Sequence, residues 1–337
     1  MIEENTLSQQ LSDESAARAC KTAFMYHPIF MEHIVGEGFP ESPDRIPAIL
    51  GHLRECGLME QMECPEVIPA DERLLHLTHE HYYIRRVALG CMGAKPFIDT
   101  PDCPLSPKTY EAALYAVGAC TGAVDAVMEG KICNAFCCVR PPGHHARYNQ
   151  AMGFCYFNNI AIAARYAHTK YELKKILIVD WDVHHGNATQ EMFYDDGDIW
   201  YFSAHQAPFF PGTGAADERG EGKGLGATIN VPLPAGSGDK EMIQAFKDHL
   251  LPAAQKLKPN FVFLSVGYDN HIEDPLGNMV MTANGYYQLA RIVRGIAAEY
   301  ANNRLVAVLE GGYNQLATAE SVEATLRAMM EPSQKKS

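Results

Sequence analysis

The feature that most restricts how this chain can fold is a recurrence of short, β-branched apolar runs separated by stretches of helical periodicity. Residues 175–180, 199–203, 261–266 and 305–309 read as strands covered on both faces, and 158–168, 240–257 and 283–300 as helices between them. The N-terminal half repeats the theme, with a strand at 22–26, a long helix at 106–128 and an apolar run at 135–139 that predicts another buried strand. Such alternation predicts an α/β architecture, a parallel sheet flanked by helices. No Gly/Ser/Pro linker, repeat or low-complexity tract divides the 337 residues, which favours one domain. Residues 1–20 read as a polar N-terminal arm, 21–332 as the folded domain and 333–337 as a frayed tail. In sheets of this kind ligands bind beyond the carboxyl ends of the strands, so the residues that follow each strand carry the functional reading.

Three of those strand ends are chemically unusual. The first is Asp180-Trp181-Asp182-Val183-His184-His185-Gly186-Asn187. Alternate residues of an extended segment point the same way, so Asp180, Asp182 and His184 share a side and two of them can grip one metal ion. The plain alternative is a polar turn that satisfies strand and helix ends. The second end contains Asp269, which alone would read as a helix N-cap. Beside Asp182 and His184 it makes better sense as a third ligand, leaving a position open for water as catalytic zinc sites do. Two oxygens and one nitrogen also suit Fe(II) or Co(II). The third end is Glu310-Gly311-Gly312-Tyr313, where paired glycines permit a tight turn that presents the tyrosine; a buried tyrosine capping a strand is the alternative. Upstream, Arg140-Pro141-Pro142-Gly143-His144-His145 holds adjacent histidines on a rigid loop. Their intrinsic pKa near neutrality makes them candidates for general acid and base, against the bland reading of a surface pair.

Taken together, Pro141-Pro142-Gly143-His144-His145, the segments 152–159 (Met-Gly-Phe-Cys-Tyr-Phe-Asn-Asn) and 180–187, Phe209-Phe210-Pro211-Gly212-Thr213-Gly214, Asp274-Pro275-Leu276-Gly277 and Glu310-Gly311-Gly312-Tyr313 resemble the histone deacetylase family of the arginase/deacetylase superfamily, in its class II-like bacterial form, the histone-deacetylase-like amidohydrolases. The motifs fall in the family's order over about residues 20–330. The resemblance implies a single α/β domain around a central, mainly parallel eight-stranded sheet, with residues 21–332 as catalytic domain. It implies one zinc ion on Asp182, His184 and Asp269. It also implies a catalytic group comprising the tandem histidines His144 and His145, Tyr313, Asp180 orienting the first histidine, and Asn187 beside the second. A neutral Asn187 should leave His145 with a lower pKa than a carboxylate would. Metal-activated water would attack the amide carbonyl while His145 takes its proton, and Tyr313 would help hold the oxyanion. Phe154 and Phe210 match the walls of an acyl-lysine tunnel, Gly153 admits the chain, and Leu276 stands at the mouth. Asp102 is a candidate grip on substrate N–H groups, and Arg45 matches an arginine of the acetate-exit region. A structural potassium ion would use oxygens around Asp180, Asp182, His184 and Ser203, and a second site the carbonyls near Phe193, Asp196 and Ile199.

The expected substrate is an acylated lysine in a peptide or protein. An acetylpolyamine is the nearest rival; polyamine-specialised relatives often carry glutamate where Leu276 stands. A two-metal ureohydrolase would need further aspartates, and a catalytically silent acyl-lysine binder is disfavoured by the full catalytic set. The formal charge of −13 argues against a nucleic-acid partner and is compatible with cationic substrates. No basic-then-apolar leader is visible, and no stretch approaches the roughly 18 apolar residues needed to span a membrane. The ten cysteines form no C-x-x-C pair, which predicts reduced thiols and a cytoplasmic protein. A homo-oligomer is left open.

Overall fold

The computed structural model describes residues 21–332, so the expected arm and tail lie outside the described residues. Seven strands form one sheet: β1 (Thr22–Met25), β2 (Asn134–Cys137), β3 (Ile176–Asp180), β4 (Ile199–Gln206), β5 (Thr228–Leu233), β6 (Phe261–Val266) and β7 (Leu305–Leu309). Their spatial order is β1-β2-β7-β6-β3-β4-β5, and every pairing is parallel. The strands β1, β2, β3, β6 and β7 are buried at every position, which is why they read as continuous apolar runs without alternation.

The expected eighth strand is not present among the described residues, and proline explains what stands in its place. Glu63 pairs with β1 for a single step, its N–H donating to Thr22 O (3.0 Å) while its carbonyl accepts from Phe24 N (2.8 Å). The next ladder bond needs an N–H two residues on, where Pro65 has none.

The described helices are α1 (Arg45–Glu55), α2 (His81–Met92), α3 (Thr109–Met128), α4 (Asn159–Lys170), α5 (Asn187–Met192), α6 (Asp239–Ala245), α7 (Leu251–Leu257), α8 (Ala283–Tyr300) and α9 (Gln315–Met330). One continuous helix was expected over 240–257. The helical segment does run unbroken over 239–257, but a π-helical turn, Phe246–Leu250, joins α6 to α7 within it. Pro252 follows it and cannot donate to the carbonyl four residues back. Helix α3 is long and apolar enough to cross a membrane by length and composition, yet 61% of its 18-residue apolar window is buried inside the protein, as befits a core helix.

A satellite apolar cluster sits apart from the main core. It gathers Leu75, Tyr83, Ile98, Cys103, Tyr156 and Phe157, and it supports the loops that contain Asp102, Gly153 and Phe154. Among the described residues eight cysteines are free and Cys133 is disulfide-bonded, which departs from the expectation of reduced thiols at that position. The spacing arguments used for paired cysteines had given no signal there.

Candidate active site

The sheet order puts β2, β7, β6 and β3 side by side, so the motifs that follow them converge at one edge. Register places Asp180 opposite Ser265 on one side and Ser203 on the other. Beyond it, Asp182, His184 and Asp269 bring ligand atoms to within 4.8 Å of one another. His184 Nδ1 lies 3.1 Å from Asp182 Oδ1 and 3.1 Å from Asp269 Oδ2. The carboxylates are aimed by main-chain donors: Asp182 Oδ2 accepts from Gly311 N (2.9 Å) and Asp269 Oδ1 from Val183 N (3.0 Å). A Cβ on Gly267 would come within 1.9 Å of Asp182 Oδ2, so only glycine lets the strand end approach this closely.

Two observations fit this trio to a cation. Asp269 Oδ2 is buried and, beyond the 3.1 Å approach of His184 Nδ1, has no hydrogen-bond partner. Burial and the neighbouring Asp182 also push Asp269 up to about 7, as expected of a carboxylate pair short of positive charge. A divalent ion between the two aspartates would satisfy both conditions.

The histidine pair stands beside the trio, ring centroids 4.0 Å apart and both residues buried. His144 Nδ1 lies 3.2 Å from Asp180 Oδ2, which also accepts from the Tyr201 hydroxyl (3.0 Å). Burial disfavours a charged His144, but Asp182, Asp180 and Glu310 outweigh it and raise its pKa to about 10. His145 goes the other way. Burial, then His144 and His184, lower its pKa well below the ordinary value. Its Nδ1 lies 2.7 Å from Asn187 Oδ1, while Asn187 Nδ2 donates to Met152 Sδ (3.6 Å). A neutral His145 therefore donates through Nδ1 and leaves Nε2 as the basic nitrogen.

His145 and His184 bring these groups to a cavity of about 170 Å³ that is lined by Asp102, His145, Gly153, Phe154, His184, Phe210, Leu276 and Tyr313. A larger open groove of about 480 Å³ beside β1, lined by Lys21, Glu63, Asp125 and Lys131 among others, contains none of the converging groups. The chemistry belongs to the smaller cavity.

The histone deacetylase domain family matches residues 39–329. The chain belongs to the histone deacetylase family. A histone deacetylase-like amidohydrolase of Pseudomonas aeruginosa is 34% identical over 93% of this chain and 88% of its own length. The polyamine deacetylase HDAC10 of Rattus norvegicus is 40% identical over 80% of this chain and 47% of its own, so the chain spans about half of that relative. The crystal structure of an HDA15 HD domain superposes with a TM-score of 0.88 at 34% identity, covering 93% of this chain and 88% of that one. The chain is a hydrolytic enzyme of the deacetylase and amidohydrolase class.

The remaining residues expected at the deacetylase site are spread over the cavity wall, its rim and the structure behind it. Phe154, Phe210 and Leu276 line the cavity with Tyr313, whose ring meets Phe154 edge-on at 5.7 Å. Asp102 reaches the rim, where its Oδ2 accepts from Gly153 N (2.8 Å). Gly153 has φ +57, and a Cβ there would lie 2.4 Å from His145 Cδ2. Arg45 does not line the cavity. It is buried behind Tyr313, its guanidinium 5.1 Å from the ring centroid and donating to Gly312 O (2.6 Å), Glu310 O (2.7 Å) and Glu41 Oε1 (3.1 Å). Ser203 Oγ pairs with His205 Nδ1 (2.9 Å). Phe193 and Asp196 occupy the turn after α5 and Ile199 opens β4; Asp196 N donates to Phe193 O (3.1 Å) and Asp196 Oδ1 accepts from Ile199 N (3.3 Å).

Three contributors escaped the sequence reading. Glu310 Oε2 accepts from the N–H groups of Gly143 (2.7 Å) and His144 (3.1 Å) while Oε1 accepts from Ser265 Oγ (2.9 Å), tying the ends of β7, β2 and β6 together. Asp274 accepts from Tyr313 N (2.6 Å) through Oδ2 and from Leu276 N (2.9 Å) through Oδ1, joining the tyrosine to the mouth. Phe209 stacks on His184 at 5.1 Å. All three stood inside recognised motifs, so their positions were visible but their partners were not.

Proposed function

We propose that the chain is a zinc-dependent deacylase that hydrolyses the amide of acylated lysine side chains, with Asp182, His184 and Asp269 holding the metal. The carrying observation is the three-ligand cluster, whose His184 lines a narrow aromatic-walled cavity and whose buried Asp269 Oδ2 has no hydrogen-bond partner beyond that histidine. A zinc ion held there supplies Lewis-acid polarisation of the scissile carbonyl and lowers the pKa of water. His145, kept neutral by burial, accepts the attacking water's proton at Nε2 and returns it to the leaving amine. His144, bonded to Asp180, supplies positive charge beside it. Burial, with Asp269 adding to it, raises the Tyr313 pKa well above the ordinary value, so its hydroxyl stays protonated and donates to the developing oxyanion. A potassium ion on the oxygens around Asp180, Asp182, His184 and Ser203 completes this reading.

Phe154, Phe210 and Leu276 suit an apolar lysine stem and offer no seat for the second ammonium of a polyamine. Asp102, the carboxylate among the lining residues, is engaged by Gly153 N through one oxygen. The test is a panel of acetyl-lysine peptide, acetylputrescine and acetylspermidine on zinc-loaded protein. Highest kcat/KM for the peptide supports the reading. The reverse order assigns the site to polyamines, and zinc binding without turnover of any of them would mark a silent binder.

A further inference from the structure

A separate group of metal-ligating side chains lies where α1 and α9 pack together. His52 sits in the last turn of α1 and Cys56 caps that helix four residues later, a spacing that puts both on one side. Glu323 of α9 faces them, and the ligand atoms of the three lie within 4.8 Å of one another. His52 Nε2 is 2.5 Å from Glu323 Oε2. The other oxygen, Oε1, accepts from Arg327 Nε (2.7 Å), which pins the carboxylate with Oε2 turned to the histidine. The side chains of His52 and Glu323 are 23% and 21% exposed, so solvent reaches both, and a small rotation that parts their 2.5 Å contact is needed to seat an ion between them.

Thiolate, imidazole and carboxylate together favour zinc or a neighbouring late transition metal over magnesium or calcium, which take oxygen ligands. We propose that His52, Cys56 and Glu323 form a second, surface metal site of the zinc class, clipping the end of α1 to α9. Arg327 opposes a cation by its charge, so this site should bind more weakly than the buried catalytic trio. Binding replaces the imidazole–carboxylate contact with two metal bonds and requires the Cys56 thiol to release its proton.

Sulfur separates this site from the catalytic one, whose ligands are oxygen and nitrogen only. Metal-stripped protein, kept reduced, is titrated with Co²⁺ and followed in the near-ultraviolet for thiolate-to-cobalt charge transfer. The band is expected to appear after the first ion is taken up, to vanish in Cys56→Ser, and to need more cobalt in His52→Ala and Glu323→Gln. It should persist in Asp182→Asn, where the catalytic ion is lost, so failure of one site does not imply failure of the other. Absence of the band in wild-type protein, or an undiminished band in Cys56→Ser, overturns the proposal.

Discussion

The floor of the deacetylase cavity hangs from four adjacent strand ends, whereas one side of its mouth, the loops of Asp102, Gly153 and Phe154, rests on a separate apolar cluster. On the floor, buried carboxylates are aimed by main-chain donors from neighbouring strand ends, Asp182 by Gly311 and Asp269 by Val183, while the His144 loop donates its own N–H to the buried Glu310 carboxylate. At the mouth, Phe210 is 43% exposed and Asp102 and Gly153 are held by one loop-to-loop bond. Rigid, adjacent strands fix chemistry, and loops on a satellite core set what reaches it. If that division is real, changes on the floor should cost turnover with little change in choice of substrate, and changes at the mouth should do the reverse.

The sharpest break is Tyr313→Phe. It removes one donor to the oxyanion and leaves the metal ligands untouched, so kcat should fall by roughly 10²–10³ while bound zinc, measured by elemental analysis, stays constant. Unchanged turnover would remove Tyr313 from the chemistry. Next in size is Gly153→Ala, where mouth and floor touch. The new Cβ would meet the His145 ring at 2.4 Å in a backbone with φ +57. Displacing the base by about 1 Å should cost up to ~10² in kcat, and the left-handed backbone about 1–2 kcal/mol of stability. Steady-state kinetics and a urea midpoint check the two parts separately; a fully active variant would show that His145 is not held by this close approach.

The same division explains what the sequence made legible. The floor could be read because each strand end compresses its chemistry into a few consecutive residues, and because alternation along an extended segment says which of them share a side. That alternation alone pairs Asp182 with His184. What joins distant segments was not legible. Glu310 lies beside the glycines that drew attention to its loop, yet its bonds to Gly143 and Ser265 depend on β7 lying between β2 and β6. Arg45 carried a family role at the acetate exit, and only packing shows it braced against the Gly312 carbonyl behind Tyr313. The missing eighth strand turned on one proline, at a position whose pairing partner the sequence could not name.

A smaller effect should come from the mouth alone. Leu276→Glu places a carboxylate on the cavity lining, near where the second ammonium of a polyamine would emerge. A partly screened attraction of about 1 kcal/mol predicts a roughly 5-fold rise in the kcat/KM ratio of acetylspermidine to acetyl-lysine peptide. An unchanged ratio would mean that substrate class is decided deeper than the rim.

The mouth's foundation can be probed without touching substrate. His79 is buried beneath it, with Nδ1 at 2.9 Å from Arg147 O and Nε2 accepting from Asn158 N (2.9 Å). Asn158 in turn caps α4, its side chain accepting from Ala161 N (3.0 Å). These partners specify a neutral ring, protonated at Nδ1 only, and burial lowers its pKa to about 4, against some support from the Arg147 and Tyr148 main chain. Between that value and the unfolded histidine's value near 6.5, the unfolded chain binds a proton that the folded chain does not. Stability from His79 is therefore fully present above about pH 6.5 and is lost as pH falls toward 4, at up to ~1.4 kcal/mol per pH unit. Other buried histidines, His33 and His205 lowered to about 3 and His185 to about 4, act with the same sign, so a difference measurement is needed. Urea midpoints for wild type and His79→Gln should converge as pH drops from 7.5 to 5, because the variant has no proton to gain at this position. Parallel curves would show that His79 titrates alike in both states, and that the loops above it are held from the floor side instead.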